Sequence, residues 1–288
     1  MAQFLARREH LAVVGSTNDV VRGWLAAGTP EVCLAVADEQ TAGRGREGRT
    51  WVAPPGGALL LSLGFRPTWL APERVWRLAA AVSLAMAAAA EEIAGLPDGT
   101  IRLKWPNDLV AETVGAAVPT VAQVPDGVRK LAGVLGETDG LGGPDPRVIV
   151  GLGLNTDWAV GAFPPELAAS MTSLREASNG KPIDHVALLV AFLDRLEAGI
   201  ETLRDGRFDD ARWTERQVTT GRDVELIAPD GAVTTVRALG VDAAGGALVV
   251  EDRGAPTGTR QVVVGEIRHV RVQAATVAAT AFPAGAGV

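Results

Sequence analysis

Several features are scarce in this sequence, and each scarcity excludes a class of protein. Only one of the 288 residues is a cysteine, Cys33, so no internal disulfide can form and a reducing compartment is expected. The apolar run Leu78–Ala90 is too short to span a bilayer, and the N-terminus lacks the apolar segment of a secretion signal. We therefore expect a soluble, cytoplasmic protein with no membrane partner.

Lysine is also scarce, because only three of the 27 basic residues are lysines. Where arginine supplies most cations, the positions kept as lysine become candidates for sites that need a compact ammonium group with three donors. Lys104 and Lys130 are such candidates. Lys181 lies in a polar Asn-Gly-Lys-Pro turn and needs no special role.

Nucleic acid is not an expected partner. The formal net charge is −7, which disfavours a protein whose main task is to clamp a polyanion. About fifteen residues precede Ser16, which is too few for the two helices and turn of a helix-turn-helix module. We therefore expect neither specific operator binding nor repressor activity.

The stretch Gly43–Trp51 reads Gly-Arg-Gly-Arg-Glu-Gly-Arg-Thr-Trp and is the most distinctive part of the chain. Glycine lets a backbone approach a ligand closely, and arginine presents a fork-shaped cation. Because one glutamate cannot neutralise three arginines, we expect a mobile loop that orders when a phosphate or carboxylate binds. An exposed turn without function is the plainer alternative.

The same stretch has the G-x-G-x-x-G spacing of a dinucleotide-binding turn. That turn needs a helix at its third glycine and an acidic residue about 20 positions later. Here the sequence continues into 54–57, Pro-Pro-Gly-Gly, which cannot open a helix, and the next acidic residue after Glu47 is Glu73. A strand, a basic loop and a second strand are therefore the preferred interpretation.

Polar residues also cluster before this loop. The tetrapeptide Ser16–Asp19 precedes apolar residues at helical spacing, which predicts a helix with Ser16 as its N-cap and Gly28 as its end. Its hydroxyl and amide groups either cap the helix or face a polar ligand. A buried strand at Glu31–Asp38 would then deliver Gln40 to the start of the loop.

Beyond the loop, the pattern alternates between strands and helices. A strand is predicted at Ala58–Phe65, and a core helix begins near Pro72 and ends at Gly95. Two further amphipathic helices are predicted at Asp184–Leu203 and Phe208–Glu215.

A short strand, Ile101–Lys104, ends in the turn Trp105–Asp108. This turn would present Lys104, Asn107 and Asp108 together at one strand end, although Asn and Asp beside a proline are also ordinary turn formers.

Two later strands, Lys130–Glu137 and Val148–Leu154, predict an antiparallel hairpin that closes at Asn155. Gly133 and Gly136 lie within the first of these strands, where a missing side chain lets a ligand or another backbone come close.

From about residue 221 the pattern changes to short β runs separated by turn residues, which predicts a small barrel. These runs are 224–227, 233–239, 247–251 and 262–272. Residues 273–288 carry no charge and are interpreted as a loose tail.

Four motifs in this order resemble the signature of biotin protein ligases: Gly43–Trp51, Lys104–Leu109, Lys130–Leu135 and Gly151–Asn155. The resemblance covers about residues 11–271. It implies an α+β fold of the class II synthetase-like type, with a mixed, largely antiparallel sheet and helices mostly on one face, followed by an SH3-like β-barrel. It also implies a catalytic domain at 1–218, a C-terminal domain at 219–272 and a flexible tail at 273–288.

The resemblance implies a two-step activity. ATP and Mg²⁺ would activate biotin as biotinyl-5′-adenylate, and the enzyme would then acylate one lysine of a biotin carboxyl carrier domain. The resemblance does not fix the oligomeric state, and a homodimer is one possibility.

The resemblance also assigns roles to individual residues. Catalytic roles fall to Lys130 and Arg46. Biotin would contact Ser16, Thr17, Asn18, Gln40, Gly43, Arg44, Lys130 and Gly133. ATP or the adenylate would contact Arg46, Arg49, Trp51, Lys104, Asn107 and Asn155. Asp108 would be a metal ligand.

Two features depart from the family pattern. Glu47 stands where some members have another arginine, which lowers the charge of the loop, and residues 111–129 form a longer excursion than the usual tight turn.

Two other functions stay open. A lipoate-type ligase would share the sheet and a lysine, but its apolar acid would not need Ser16, Thr17 and Gln40. A non-enzymatic regulator would bind biotin or nucleotide without turnover.

Overall fold

Two β-sheets organise the part of the chain that the computed structural model describes, which comprises residues 4–112, 127–158, 162–228, 230–263 and 266–269. One sheet has seven strands and the other has five. Most of the predicted excursion, at 113–126, and the predicted tail, at 273–288, lie outside the described residues.

The seven-stranded sheet is mixed and largely antiparallel, as predicted. Its strands are β1 (Arg7–Val14), β2 (Cys33–Gln40), β3 (Ala58–Phe65), β4 (Ile101–Lys104), β5 (Asp108–Glu112), β6 (Val128–Asp139) and β7 (Arg147–Asn155). Their order in space is β1-β2-β3-β7-β6-β5-β4. β1 runs parallel to β2, and every other neighbouring pair in this sheet is antiparallel.

Helices pack on both faces of this sheet. The described helices are α1 (Thr17–Ala26), α2 (Trp76–Ala94), α3 (Pro165–Ala168), α4 (Leu174–Ala177), α5 (His185–Arg204) and α6 (Asp210–Glu215). α1 packs on one face of the sheet, and α2 packs on the other face with α5 against it. Alternate residues of a strand point to opposite faces of a sheet, so neighbouring residues of β2 pack against helices on different faces. Leu34 and Val36 belong to the large core with α2 and α5, whereas Cys33 and Ala35 pack with α1. Among the described residues, no helix is both long and apolar enough to cross a membrane.

Most of the predicted elements are confirmed. α1 begins directly after Ser16, and β3 has the predicted bounds. α2 ends at Gly95, whose φ of 71° lies in the left-handed region that glycine adopts without strain. The predicted hairpin is formed by β6 and β7, and α5 begins after Asp184, whose carboxylate accepts hydrogen bonds from two backbone N–H groups.

Several elements differ from the predictions: the short helices α3 and α4 were not predicted, and three strands also differ. β1 was not predicted, because Arg7–Val14 begins with three charged residues and is mostly exposed at the edge of the sheet, so it lacks an apolar alternation. β5 was not predicted either, since it begins inside the polar turn, at Asp108. The single predicted strand 262–272 is wrong: the described chain has Thr259–Val262 and Glu266–His269 instead.

The five-stranded sheet has its own core. Its strands are β8 (Asp223–Ile227), β9 (Val233–Val241), β10 (Leu248–Glu251), β11 (Thr259–Val262) and β12 (Glu266–His269), in the spatial order β11-β10-β9-β8-β12. Val224, Leu248 and Val250 are fully buried in this core. Trp105 joins them from the turn between β4 and β5, is 5% exposed, and donates its indole N–H to the carbonyl of Gly246 at 3.2 Å.

β4, which leads into that turn, is fixed by a buried ion pair. The guanidinium of Arg216 donates to both carboxylate oxygens of Glu91 at 2.9 and 2.8 Å, and both side chains are buried. Arg216 also donates to the carbonyl of Ile101 at 2.7 Å, and its own carbonyl accepts from the N–H of Leu103 at 2.8 Å. Removing one partner of such a pair leaves an uncompensated buried charge, so replacing Glu91 or Arg216 alone is expected to destabilise the region around β4.

Trp105→Ala is expected to lower the free energy of unfolding by about 3–5 kcal/mol, because it empties a buried position in the core of the small sheet. Chemical denaturation measures this change. Val233→Ala is the control, since Val233 is exposed on the same sheet and its truncation should stay within about 0.5 kcal/mol of the unmodified chain. A Trp105→Ala chain as stable as the control would contradict the packing described here.

Candidate active site

A cavity of about 360 Å³ lies against β6 and β7, between the Gly43–Trp51 loop, the start of α1 and the turn from β4 to β5. Of the predicted site residues, all except Gly43 and Asn155 line it. They are Ser16, Thr17, Asn18, Gln40, Arg44, Arg46, Arg49, Trp51, Lys104, Asn107, Asp108, Lys130 and Gly133. The structure therefore brings together groups that are more than 100 residues apart in the sequence.

One end of the cavity is a network of hydroxyl and amide groups at the start of α1. Thr17 donates its backbone N–H and its hydroxyl to Gln40 Oε1 at 2.8 and 3.0 Å. The buried hydroxyl of Ser62 lies 2.7 Å from Thr17 Oγ1 and 2.5 Å from Asn18 Oδ1. Ser16 is the N-cap by position, but its side chain makes no capping hydrogen bond. This end thus offers donors and acceptors together, which suits a ligand group that carries both N–H and C=O.

Charged groups surround the outside of this end. Arg44 donates through two nitrogens to the two oxygens of Asp19, both at 2.8 Å. Glu137 accepts from Asn18 at 2.8 Å and from Arg22 at 2.6 Å, and it lies 3.5 Å from Arg44. The hydrogen bond from Arg44 is the main reason that the pKa of Asp19 is lowered, and the same contact raises the pKa of Arg44.

This arrangement corrects the expectation that the loop arginines lack a counter-charge. Arg44 is paired with Asp19, which lies 25 residues away in sequence, and Arg49 approaches Glu47 at 3.4 Å. The loop is also closed at its base, since the N–H of Trp51 donates to the carbonyl of Gly43 at 3.0 Å. A Cβ at Gly43 would lie 2.4 Å from the carbonyl oxygen of Trp51, so glycine is required there although it does not line the cavity.

A lysine and a carboxylate face each other at the centre of the cavity. Lys130 Nζ lies 2.6 Å from Asp108 Oδ1 and 5.6 Å from the centroid of the Trp51 ring. Trp51 rests on Gly133 and Gly153, which pair across β6 and β7. A Cβ on Gly153 would lie 2.5 Å from the indole, and a Cβ on Gly133 would lie 3.2 Å from it. These two glycines therefore form the surface on which the tryptophan lies.

A β-bulge explains why Lys130 reaches this centre. Residues three apart on a regular strand point to opposite faces. The register between β5 and β6 shifts between Leu109 and Val110, so Leu131 becomes an extra residue in β6. Lys130 and Gly133 therefore face the same cavity, while Leu131 is buried in the large core.

The other end of the cavity is walled by apolar side chains, which are Val110, Val128, Leu167 and Met171. The segment that carries Met171 lies beside β6: Lys130 donates its N–H to the carbonyl of Ser170 at 2.7 Å and accepts from the N–H of Thr172 at 2.8 Å. Asn155 is buried behind this wall and donates its amide to the carbonyl of Thr172 at 3.0 Å. Asn155 therefore supports this wall but does not line the cavity. The sequence patterns did not predict that Leu167 and Met171 belong to the site.

The β4–β5 turn supplies the remaining polar groups. Asn107 donates its amide to the carbonyl of Val134 at 2.8 Å, and its own carbonyl accepts from the N–H of Val134 at 2.9 Å. These two bonds fix the turn to β6, and Lys104 and Asp108, on the same segment, also line the cavity. Within the described ranges, no group of three or more His, Cys, Asp or Glu side chains is arranged to hold a metal ion.

Comparison with known proteins agrees with this geometry. Residues 11–155 match the model of the biotin/lipoate A/B protein ligase family. A biotin–acetyl-CoA-carboxylase ligase of Mycobacterium tuberculosis is 31% identical over 269 residues, which cover 91% of this chain and 88% of that protein. A ligase of the same description from Paracoccus denitrificans is 29% identical over 69% of this chain and 77% of that protein.

Among solved structures, the biotin protein ligase from Aquifex aeolicus in complex with biotin and ATP aligns with a TM-score of 0.71. It is 25% identical, and the alignment covers 92% of this chain and 99% of that one. The chain belongs to the biotin/lipoate A/B protein ligase family, and within it is a biotin protein ligase.

Proposed function

We propose that this enzyme catalyses ATP-dependent biotin ligation in two steps at the cavity described above. In the first step, a carboxylate oxygen of biotin attacks the α-phosphorus of ATP, which forms biotinyl-5′-adenylate and releases pyrophosphate. In the second, the amine of a lysine on a biotin carboxyl carrier domain attacks the acyl carbon and releases AMP. The observation that carries the proposal is the position of Lys130, between a hydrogen-bonding end and an apolar end of one cavity.

Biotin would occupy the hydrogen-bonding end. Its ureido ring carries two N–H donors and one carbonyl acceptor, which match the mixed groups of Ser16, Thr17, Asn18 and Gln40. Gly43 and Arg44 would close the loop over the ring. The acid chain would then run past Gly133, so that its carboxylate meets Lys130. A lipoate-type acid has no group that would use the hydroxyls and amides at this end.

The nucleotide would occupy the opposite end, with its purine against Met171 and Leu167 and its phosphates toward the centre. The first step brings two anions together, so the site must supply positive charge where new charge gathers. Lys104, Arg46 and Arg49 line the cavity together with Lys130, and Trp51 and Asn107 complete the proposed adenylate site. Asn155 would contribute indirectly, by supporting the wall that carries Met171.

Magnesium is proposed to enter with ATP. An ion bound mostly through phosphate oxygens needs only one or two carboxylates from the protein, and Asp108 fits that need because it lines the cavity at its centre. When bound, the ion would supply Lewis-acid polarisation of the phosphoryl oxygens. Asp108 also lies 2.6 Å from Lys130 Nζ, so the same carboxylate orients the lysine before substrates bind.

We also propose the finer features that the family resemblance implies. β8 to β12 would form an SH3-like barrel, which is supported by their short length and separate core. The catalytic domain would span 1–218 and the barrel 219–272. The buried free thiol of Cys33 is compatible with the cytoplasm. The proposed partner is the biotin carboxyl carrier domain, and we propose that the enzyme binds neither a specific nucleic acid nor a membrane. The proposal allows either a monomer or a homodimer.

With ATP, Mg²⁺ and biotin, the purified chain is expected to release pyrophosphate, and Lys130→Ala is expected to reduce this rate by about 10²–10³-fold. The physical reason is the loss of one preorganised cation from a site where negative charge develops. Pyrophosphate release measured with biotin, with lipoate and without either acid tests the function directly.

The matched control is Lys181→Ala, because Lys181 is remote from the cavity and donates only to the carbonyl of Ile93 in the contacts described. It should leave the rate unchanged. Release that depends on lipoate rather than biotin would overturn the proposed substrate. Near-normal release from a folded Lys130→Ala variant would overturn the role of the lysine, and biotin binding without turnover would indicate a regulator.

Gly153→Ala is expected to lower kcat/KM for biotin by about 10–10²-fold, since small misplacements of site groups have effects of that order. The added Cβ would lie 2.5 Å from the Trp51 indole and must displace it. Gly136→Ala is the control on the same hairpin, because a Cβ there meets no atom within 4 Å. Equal kcat/KM values for Gly153→Ala and Gly136→Ala would show that the position of Trp51 on Gly153 does not affect catalysis.

Arg46→Gly is expected to let the adenylate dissociate before biotin is transferred to the carrier lysine. The substitution removes the proposed charge-assisted contact to the adenylate phosphate and makes the loop backbone more flexible. Escaped adenylate should biotinylate bystander lysines, which a blot for biotin detects after incubation with a protein that is not a substrate. Arg253→Gly, at an exposed turn, is the control. Bystander labelling no greater than that of the control, with ATP still consumed, would rule out a retention role for Arg46.

A further inference from the structure

An arginine and a glutamate form an ion pair behind the apolar wall of the cavity. Arg129 lies on β6 between Val128 and Lys130, which both line the cavity, whereas Arg129 does not. Alternate residues of a strand point to opposite faces, so the side chain of Arg129 leaves the sheet on the other side. Its Nη1 donates to Glu176 Oε1, on α4, at 2.5 Å, and the two side chains are only 13% and 14% exposed. Solvent therefore screens this pair little.

Glu176 connects this pair to the wall through Thr172. Its second oxygen, Oε2, accepts from the hydroxyl of Thr172 at 3.0 Å. Thr172 is itself buried, and its carbonyl accepts from the amide of Asn155 at 3.0 Å. The N–H of Thr172 donates to the carbonyl of Lys130 at 2.8 Å. Thr172 therefore joins β6, the end of β7 and the Arg129–Glu176 pair at one point.

The residue before Thr172 is Met171, which belongs to the wall. Met171 and Lys130 pair as neighbours in a parallel sheet, and both line the cavity. A shift of Thr172 relative to β6 would therefore move Met171 relative to the lysine. In the proposed reaction the purine lies against Met171, while the α-phosphorus must meet the biotin carboxylate beside Lys130. The spacing of these two side chains would thus determine whether ATP is placed for reaction, and small misplacements at such a site have large effects.

We propose that Arg129 and Glu176 are positioning residues for the nucleotide. They touch neither substrate nor reacting atoms, and they act through Thr172 on the position of Met171. This role rests on the proposed nucleotide end of the cavity. The proposed biotin end is held by separate hydrogen bonds between α1 and β2, so the effect should be specific to ATP.

Steady-state kinetics of biotin-dependent pyrophosphate release test this role. Glu176→Gln removes the charge that neutralises Arg129 and should raise KM for ATP by about ten-fold, with KM for biotin within about two-fold of the unmodified value. Thr172→Val keeps the ion pair but removes its link to the wall, and should raise KM for ATP by about three- to ten-fold. The Thr172→Val variant decides the test alone if Glu176→Gln does not fold, because it leaves no buried charge uncompensated.

Asp145→Asn is the matched control. It also changes a carboxylate that accepts from an arginine, Arg147, at 2.6 Å, but at the opposite end of the β6–β7 hairpin. It should leave both KM values unchanged. Hydrogen exchange gives a second readout, because Glu176→Gln and Thr172→Val should increase exchange at residues 170–172 and leave exchange across α5 unchanged.

A KM for ATP that stays at the unmodified value in the folded variants would overturn the role. KM values for ATP and biotin that rise together, or faster exchange across α5, would also overturn it, since either indicates general destabilisation. Failure of the proposed function gives a different result, because the unmodified enzyme would then release no pyrophosphate in response to biotin. In that case exchange at residues 170–172 would still decide whether the ion pair holds the wall.

Discussion

The active site depends on the pairing of Gly133 with Gly153 across β6 and β7. Two side chains are missing at the same place on neighbouring strands, so the indole of Trp51 can lie directly on the sheet. The bulge at Leu131 then turns Lys130 toward the same face, 5.6 Å from the centre of the ring. Without both features, the lysine and the loop that ends at Trp51 would not share one cavity.

The other groups at the site come from different parts of the chain. The β4–β5 turn brings Asp108 to the lysine, and this turn is held from the other side by Trp105 in the core of the small sheet. The start of α1 contributes the hydroxyl and amide groups, which are tied to β2 through Gln40. The cavity therefore combines a rigid sheet with a basic loop, as a reaction between two anions requires.

Much of the fold follows from local patterns. The helix start after Ser16, the apolar strand Ala58–Phe65 and the helix end at Gly95 follow from short-range signals, and the structure confirms these three features. The edge strand β1 escaped prediction because it carries its charges toward solvent and has no apolar face. Nine of the thirteen predicted site residues that line the cavity belong to the four motifs, whereas Ser16, Thr17, Asn18 and Gln40 lie outside them.

What sequence patterns could not supply were contacts between distant segments. The counter-charges of Arg44 come from Asp19 and Glu137, which lie 25 and 93 residues away, so the charge balance of the loop cannot be judged from the loop alone. The apolar wall at Met171 depends on backbone pairing with Lys130, which no periodicity reveals. The role of Asn155 at the nucleotide stays a prediction, and its buried amide donates to the carbonyl of Thr172, next to Met171 in that wall.

The central claim is that one cavity holds biotin and nucleotide at opposite ends, with Lys130 where they react. A crystal structure of the enzyme with biotin, ATP and Mg²⁺ tests it most directly. The account predicts the ureido group within hydrogen-bond distance of Thr17 and Gln40, the purine against Met171, and the carboxylate or the newly formed acyl phosphate beside Lys130. Biotin bound in the reverse direction, or a nucleotide bound outside this cavity, would contradict it.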